Sequence, residues 1–215
     1  MADITLYGPN WSAYTRTARL TLEEKKIAYE LKEVDFSSGA MPPEHFNRHP
    51  FGKVPVLAHG SFMIYETSPI CRYVEEAFDG PVLQPRDAQQ LGRMVQIISV
   101  LDTYLSVEIR MGYVNELFFK PMTGLLPEED RVTIARQRIL KGFSVLGDLI
   151  ENGSYFTGQN ITLADLHAAP LFDYLDKTPG GDKLIDSEPG LRTWWILIKN
   201  RPSMVSTEPD LSVFS

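Results

Sequence analysis

Two places in this chain combine a hydroxyl with the start of a helix, and both could hold an anion. In "NWSAYTR" (10–16) Ser12 precedes a helical pattern, and in "YETSPI" (65–70) Glu66 and Thr67 open another, with Pro69 in its first turn. Helix starts carry unpaired N–H groups and a partial positive charge, which favour a carboxylate, a phosphate or a thiolate. Serine and threonine are also ordinary N-caps, so on the pattern alone both readings stand. A third feature is "FGKVPVL" (51–57), an apolar strand-like run with Pro55 inside it. Proline has no N–H for a sheet ladder and belongs at edges, bulges or special turns.

Other chemistries find little support. His45, His49, His59 and His167 show no metal-ligand spacing, and no metal site is expected. The chain contains no G-x-x-x-x-G-K-[ST], no G-x-G-x-x-G and no G-x-S-x-G. The lone cysteine, Cys71, lies mid-helix among apolar neighbours and reads as a small buried hydrophobe. One cysteine permits no internal disulfide, which fits a reducing compartment. A net charge of −7 with scattered Lys and Arg argues against nucleic acid or an anionic membrane as partner. "MADITLYGPN" lacks the pattern of a signal peptide, and no apolar run approaches membrane-spanning length. The expected location is the cytoplasm.

The elements that must position these residues fall into two groups. "ITLY" (4–7) reads as a strand ended by Gly8-Pro9-Asn10. A helix follows, with Ala18, Leu22 and Ile27 near one face, and then a strand at 28–34. Residues 37–50 form a loop with a helical turn near Pro43–Arg48. "VPVL" and "FMIY" (62–65) make a hairpin, followed by a helix over 67–78 carrying Ile70, Val74 and Phe78. "DGPVLQPRD" (79–87) looks like a linker, and the rest is helical. The expectation is an α/β domain over 1–79, a linker over 80–87 and an all-helical domain over 88–215. "ITLADL" (161–166) carries Thr162 three residues before Asp165, a capping-box pair with a folding role and no catalytic one.

The chain resembles the cytosolic glutathione transferases of the serine type, phi-like or bacterial. The likeness is carried by "NWSAYTRTARLTLEEKKIAYE" (10–30), "NRHPFGKVPVL" (47–57), "YETSPICRYV" (65–74), "YFTGQNITLADL" (155–166) and "NRPSM" (200–204), in that order and spacing. It implies a thioredoxin-like N-terminal domain joined to a helical C-terminal domain. It also implies that Val54–Pro55 is a cis bond, which turns the backbone of Val54 toward the cysteinyl part of glutathione as an added strand would. By the same resemblance Glu66 meets the γ-glutamyl ammonium of glutathione, and Thr67 with the helix start meets its carboxylate. Lys53 reaches a glutathione carboxylate or is a solvated loop lysine. Ser12, four residues before Arg16, is the expected catalytic residue, holding the glutathione sulfur as thiolate. Tyr7 and Tyr14 are rival hydroxyls. Ala40 and Met41 stand where phi-class members grip the glycine carboxylate, which leaves that end to His45, His49 or Lys53, or weakly held.

The resemblance also places an apolar electrophile pocket between the domains, with Trp11, Met111, Tyr113 and Val114 as candidate walls. Phe118 and Phe119 read better as core. It implies a homodimer joining the N-terminal domain of one chain to the 88–117 helix of the other, with Asp102 reaching the partner's γ-glutamyl group or lying on an exposed face. The implied activity is conjugation of glutathione, as co-substrate, to small hydrophobic electrophiles in detoxification, or reduction of peroxides with it. A non-catalytic ligand carrier or regulatory module is the competing class. A glutathione-dependent isomerase fits less well, since a Ser-Ser-Cys signature is missing.

Overall fold

The computed structural model describes residues 3–35, 40–150 and 154–214. Contacts divide the chain into two units, Met1–Leu83 with Pro202–Asp210, and Gln84–Arg201 with Leu211–Ser215. The segment Pro202–Asp210 therefore groups with the first unit, whereas the sequence reading assigned everything after 88 to the helical domain.

The first unit runs β1 (Ile4–Tyr7), α1 (Ala13–Glu24), β2 (Glu30–Lys32), a 3₁₀ turn (Pro43–Asn47), β3 (Val56–His59), β4 (Phe62–Tyr65) and α2 (Thr67–Ala77). The sheet order is β2-β1-β3-β4. β1 is parallel to β2, with α1 as the crossover that such a pair requires. β3 is antiparallel to both β1 and β4. Alternation along β1 sends Ile4 and Leu6 to one face, where they join Leu57, Ala18 and Leu22 of α1, and Ile70 and Val74 of α2 in one buried cluster. The i, i+4 spacing in each helix is what delivers two side chains to the same sheet face. β2 is shorter than the 28–34 expected. It is an edge strand, and its ends Glu30 and Lys32 are exposed and paired with each other at 3.3 Å. The start of the expected 37–50 loop, 37–39, lies outside the described residues.

The second unit opens with α3 (Ala88–Val100), capped by Asp87 Oδ1, which accepts from the N–H groups of Gln89 and Gln90 at 3.0 Å. The helix continues through π-helical turns at Leu101–Leu105 and Glu108–Phe119 into α4 (Lys120–Met122). Then follow α5 (Glu129–Leu149), α6 (Leu163–Lys177), α7 (Gly181–Asp186) and α8 (Pro189–Lys199). The short helix α9 (Pro202–Ser206) belongs to the first unit. Helices approach closely where a side chain is absent: a Cβ on Gly142 would fall 2.3 Å from Leu105 Cδ2, and one on Gly112 2.6 Å from Ala135 Cβ. The core is aromatic, with Phe143 stacked on Phe172 at 4.9 Å and Phe156 tilted against Trp194 at 4.7 Å.

The capping box expected at Thr162–Asp165 is present and does more than start a helix. Asp165 is fully buried and accepts from Thr162 N (2.7 Å), Thr162 Oγ1 (2.9 Å), Phe156 N (3.0 Å) and Trp194 Nε1 (2.8 Å). Burial pushes its carboxyl above the usual carboxylate range, against the pull of these four donors. One side chain thus joins the 155–157 turn, α6 and α8. We expect Asp165→Ala to destabilise the protein by about 2–4 kcal/mol, because several buried donors lose their acceptor. A denaturant midpoint within error of wild type would refute that role.

Candidate active site

The N-terminal end of α1 is built from both sides. Gly8 N–H bonds Lys32 O at 3.0 Å. Asn10 N–H is held by the Glu33 carboxylate at 3.0 and 3.1 Å, and Asn10 Oδ1 accepts from Asp210 N–H at 2.7 Å. Gly8 is required at its position, since a Cβ there would fall 2.3 Å from Thr15 Oγ1. These contacts deliver Ser12 to the N-cap of α1 with extended backbone and 8% of its surface exposed. Its Oγ accepts from Thr15 N–H at 3.3 Å. A hydroxyl carries one donor and two acceptor positions, so capping consumes an acceptor and leaves the hydrogen available. Ser12 can therefore cap the helix and donate to an anion at the same time.

The second helix start lies beside the cis bond, Val54–Pro55, as the resemblance implied. Glu66 precedes α2 with φ 71° and ψ 132°, a conformation rare for a residue with a side chain. Thr67 is buried at the first helical position, and the Glu66 side chain is 59% exposed. The preceding loop is pinned by two histidines. His45 is fully buried, and its Nε2 hydrogen goes to Lys53 O at 2.7 Å. That hydrogen is therefore not offered to a ligand carboxylate, whereas the Lys53 side chain is exposed. His49 accepts Phe51 N–H on Nδ1 at 3.3 Å, which leaves the hydrogen of the neutral ring on Nε2, 3.7 Å from Glu66 Oε1. Burial holds this imidazole below the usual histidine range, against the opposing pull of Glu66.

The other named residues take varied places. Tyr7 is half-buried under the Arg48 guanidinium, 4.6 Å from its ring centre, while Trp11 and Tyr14 are half-buried. In the second unit Val114 is buried, and so is Tyr113, whose hydroxyl donates to Pro179 O at 3.1 Å. Met111 and Asp102 are exposed, and Asp102 lies in the first π-helical turn. Phe119 packs on Tyr174 and Phe214, as a core residue would. Ala40 is exposed and Met41 half-buried.

Two functional neighbours were not singled out from sequence. Arg16 and Arg19 project from α1 to the returning segment 202–210. Arg16 donates to Thr207 Oγ1 (3.3 Å), Met204 O (3.0 Å) and the Glu208 carboxylate (3.2 Å). Arg19 donates to Thr207 O and Ser206 O, each at 3.3 Å, and to Tyr29 Oη at 3.2 Å. Three carbonyls at the end of α9 thus find their partners on the helix that Ser12 caps. Ser203 adds a bond to Glu24 at 2.5 Å. The only local sign was Arg16 itself, whose acceptors lie about 190 residues away in the chain.

A four-stranded sheet with two helix N-termini and a cis-proline strand start describes a thioredoxin-like unit with a place for an anion. The family models agree. "Glutathione S-transferase, N-terminal domain" matches residues 11–77, and "Glutathione S-transferase, C-terminal domain" matches 108–202. The chain belongs to the glutathione S-transferase family. Glutathione S-transferase F10 of Arabidopsis thaliana is 29% identical over 201 residues, covering 92% of this chain and 93% of its own. The crystal structure of glutathione transferase F7 from Populus trichocarpa superposes with a TM-score of 0.86 at 25% identity, covering 95% of this chain and 97% of its own. Glutathione S-transferase I from "mais", in complex with an atrazine glutathione conjugate, gives 0.84 at 25% identity, covering 96% of each chain.

The arginine contacts make a prediction. Arg16→Met should leave buried carbonyl and hydroxyl acceptors unpaired and cost about 2–3 kcal/mol. The amides of 203–208 should then exchange hydrogen faster than those of β1 and β3. Unchanged protection in that segment would show that the arginine does not hold it.

Proposed function

We propose that this glutathione transferase joins the glutathione thiolate to small hydrophobic electrophiles, with Ser12 as the catalytic hydroxyl. The observation that carries this reading is the geometry of Ser12: its oxygen is occupied by Thr15 N–H, and its hydrogen is not. A sulfur placed at the start of α1 would receive that hydrogen and the field of the helix N-terminus. Both favour thiolate over thiol and lower a pKa that is about 8.5 in free cysteine. The proton leaves to solvent. The sulfur lone pair then forms the S–C bond as the electrophile releases its leaving group or accepts the electrons in an addition. The protein contributes position and electrostatics, and the second substrate contributes reactivity.

Glutathione fits the rest of the first unit. The backbone of Val54, just before Pro55, takes the cysteinyl part; Glu66 takes the ammonium; Thr67 and the start of α2 take the γ-glutamyl carboxylate; exposed Lys53 takes the other carboxylate. Trp11 of the first unit and Met111, Tyr113 and Val114 of the second are the residues proposed to meet the electrophile. The atrazine glutathione conjugate held by the related enzyme supports an aromatic electrophile as the class. The hydroxyl at Ser12, together with membership of the family, favours an enzyme over a non-catalytic carrier.

We also infer a cytoplasmic homodimer. Large apolar side chains stand exposed on each unit: Phe46, Phe51 (70%), Phe62 and Met63 on the first, and Val95, Tyr104 (68%) and Val107 on the second. Exposed apolar surface of this kind marks an interface. A second copy covers both sets if the first unit of one chain meets the 88–117 helix of the other, where Asp102 would lie near the partner's glutathione.

Two measurements test these readings. Ser12→Ala should raise the pKa of bound glutathione by about one to two units, each worth about 1.4 kcal/mol. Activity at neutral pH should fall roughly ten- to hundredfold and recover partly at high pH. The absorbance of bound thiolate against pH reads this directly, and coincident titrations for wild type and variant would reduce Ser12 to a cap. Sedimentation at micromolar concentration should give twice the 24.3 kDa chain mass, and Phe51→Ser should shift it toward one chain. A wild-type monomer would exclude the dimer and with it any role for Asp102 in a second site.

A further inference from the structure

A buried histidine stands next to the proposed ammonium partner, and the mechanism above does not use it. His49 is 1% exposed. Its ring lies 4.6 Å from that of Tyr65, 6.2 Å from that of Phe51 and 6.5 Å from the nearly parallel ring of His45. Phe51 N–H occupies Nδ1, so the neutral ring carries its only hydrogen on Nε2, which lies 3.7 Å from Glu66 Oε1. Glu66 itself sits at φ 71°, so the direction of its carboxylate depends on a backbone conformation that its neighbours must hold.

We propose that His49 is a positioning residue for Glu66 and that its protonation competes with the glutathione ammonium for the Glu66 carboxylate. The proposal rests on the reading of Glu66 as the ammonium partner. With His49 neutral, the Nε2–H dipole orients the carboxylate and leaves its full charge for the ligand. A second proton, on Nδ1, would break the bond from Phe51 N–H and place a whole cation 3.7 Å from Glu66. Of the charged groups recorded as acting on the ring, Glu66 favours that cation, and Lys53 and His45 oppose it. Tyr65 contributes its ring, tilted against the imidazole. Imidazolium and ammonium therefore draw on the same negative charge. Linkage makes the antagonism reciprocal: the factor by which glutathione disfavours protonation of His49 is the factor by which protonation weakens glutathione. Since burial disfavours the imidazolium, the ring is neutral and the carboxylate available near pH 7, and acidification closes the subsite.

S-methylglutathione is the probe, because it has no ionising thiol. The His49 ring signal is titrated by NMR in wild type and in Glu66→Gln, with and without the probe, and probe affinity is measured at pH 5.5 and 7.5. Glu66→Gln alters an exposed side chain and is compatible with the fold. In wild type the bound probe should lower the His49 titration midpoint. Affinity should fall on the order of fivefold on acidification through it. Glu66→Gln should lower the midpoint of the free protein and abolish the effect of the probe, and His49→Gln should flatten the pH profile of affinity. A His49 midpoint that is identical in wild type and Glu66→Gln overturns the proposal, as does an acid loss that persists in His49→Gln. If Glu66→Gln instead binds the probe at pH 7.5 as wild type does, the ammonium reading fails, and the midpoints of the free proteins still report whether His49 and Glu66 are coupled.

Discussion

A single hydroxyl at the start of α1 has to serve two masters. Its oxygen must satisfy a helix N–H, or the first turn frays, and in the proposed mechanism its hydrogen must remain for a sulfur. That double duty constrains everything nearby. Gly8 is small because Thr15 stands where a Cβ would go. Asn10 is held by Glu33 on one side and Asp210 on the other, so the loop that delivers Ser12 cannot drift. Farther down the same helix, Arg16 and Arg19 tie it to the chain's last turns. The proposed catalytic group is one hydroxyl, and its placement comes from elements drawn from both segments of the first unit.

Electrostatics follow the same economy. The chain carries a net charge of −7, yet its proposed ligand has two carboxylates and a thiolate. Attraction therefore cannot come from the field of the whole molecule, which repels such a ligand. It comes from local sources: two helix starts, an exposed lysine and oriented backbone groups. Fields of this kind decay within a turn of the helix, so they select a position and not merely a charge. Glu66, the acidic group of the proposed site, then has a clear purpose as the partner proposed for the ligand's only cation.

Much of this was legible in the sequence, and for identifiable reasons. β1, α1, the hairpin and α2 each carry their own periodicity and their own punctuation, and Thr162 and Asp165 are spaced as a cap must be. The π-helical turns at 101–105 and 108–119 were not legible. Leu101, Leu105 and Ile109 keep a helical spacing whether the backbone bonds reach four residues or five. The β2 ends were overestimated, because nothing local says that an edge strand has lost its neighbour. The partners of Arg16, Arg19 and His49 were invisible for a simpler reason. A buried guanidinium or imidazole takes its meaning from acceptors that the fold brings in, and those of Arg16 are nearly the length of the chain away. Tyr113 has a partner of the same kind: its hydroxyl donates to Pro179 O, 66 residues away in the chain.

The return of 202–210 to the first unit has a consequence for how the protein is made. The ribosome releases α1 long before residues 204–208, which carry the acceptors that Arg16 and Arg19 find in the returning segment. At about 5–20 residues per second, the nascent first unit waits on the order of ten seconds for those acceptors. Residues 84–201 of the second unit are synthesised during that interval. The first unit therefore begins to fold early and completes its own long-range contacts late, after most of its neighbour has been made.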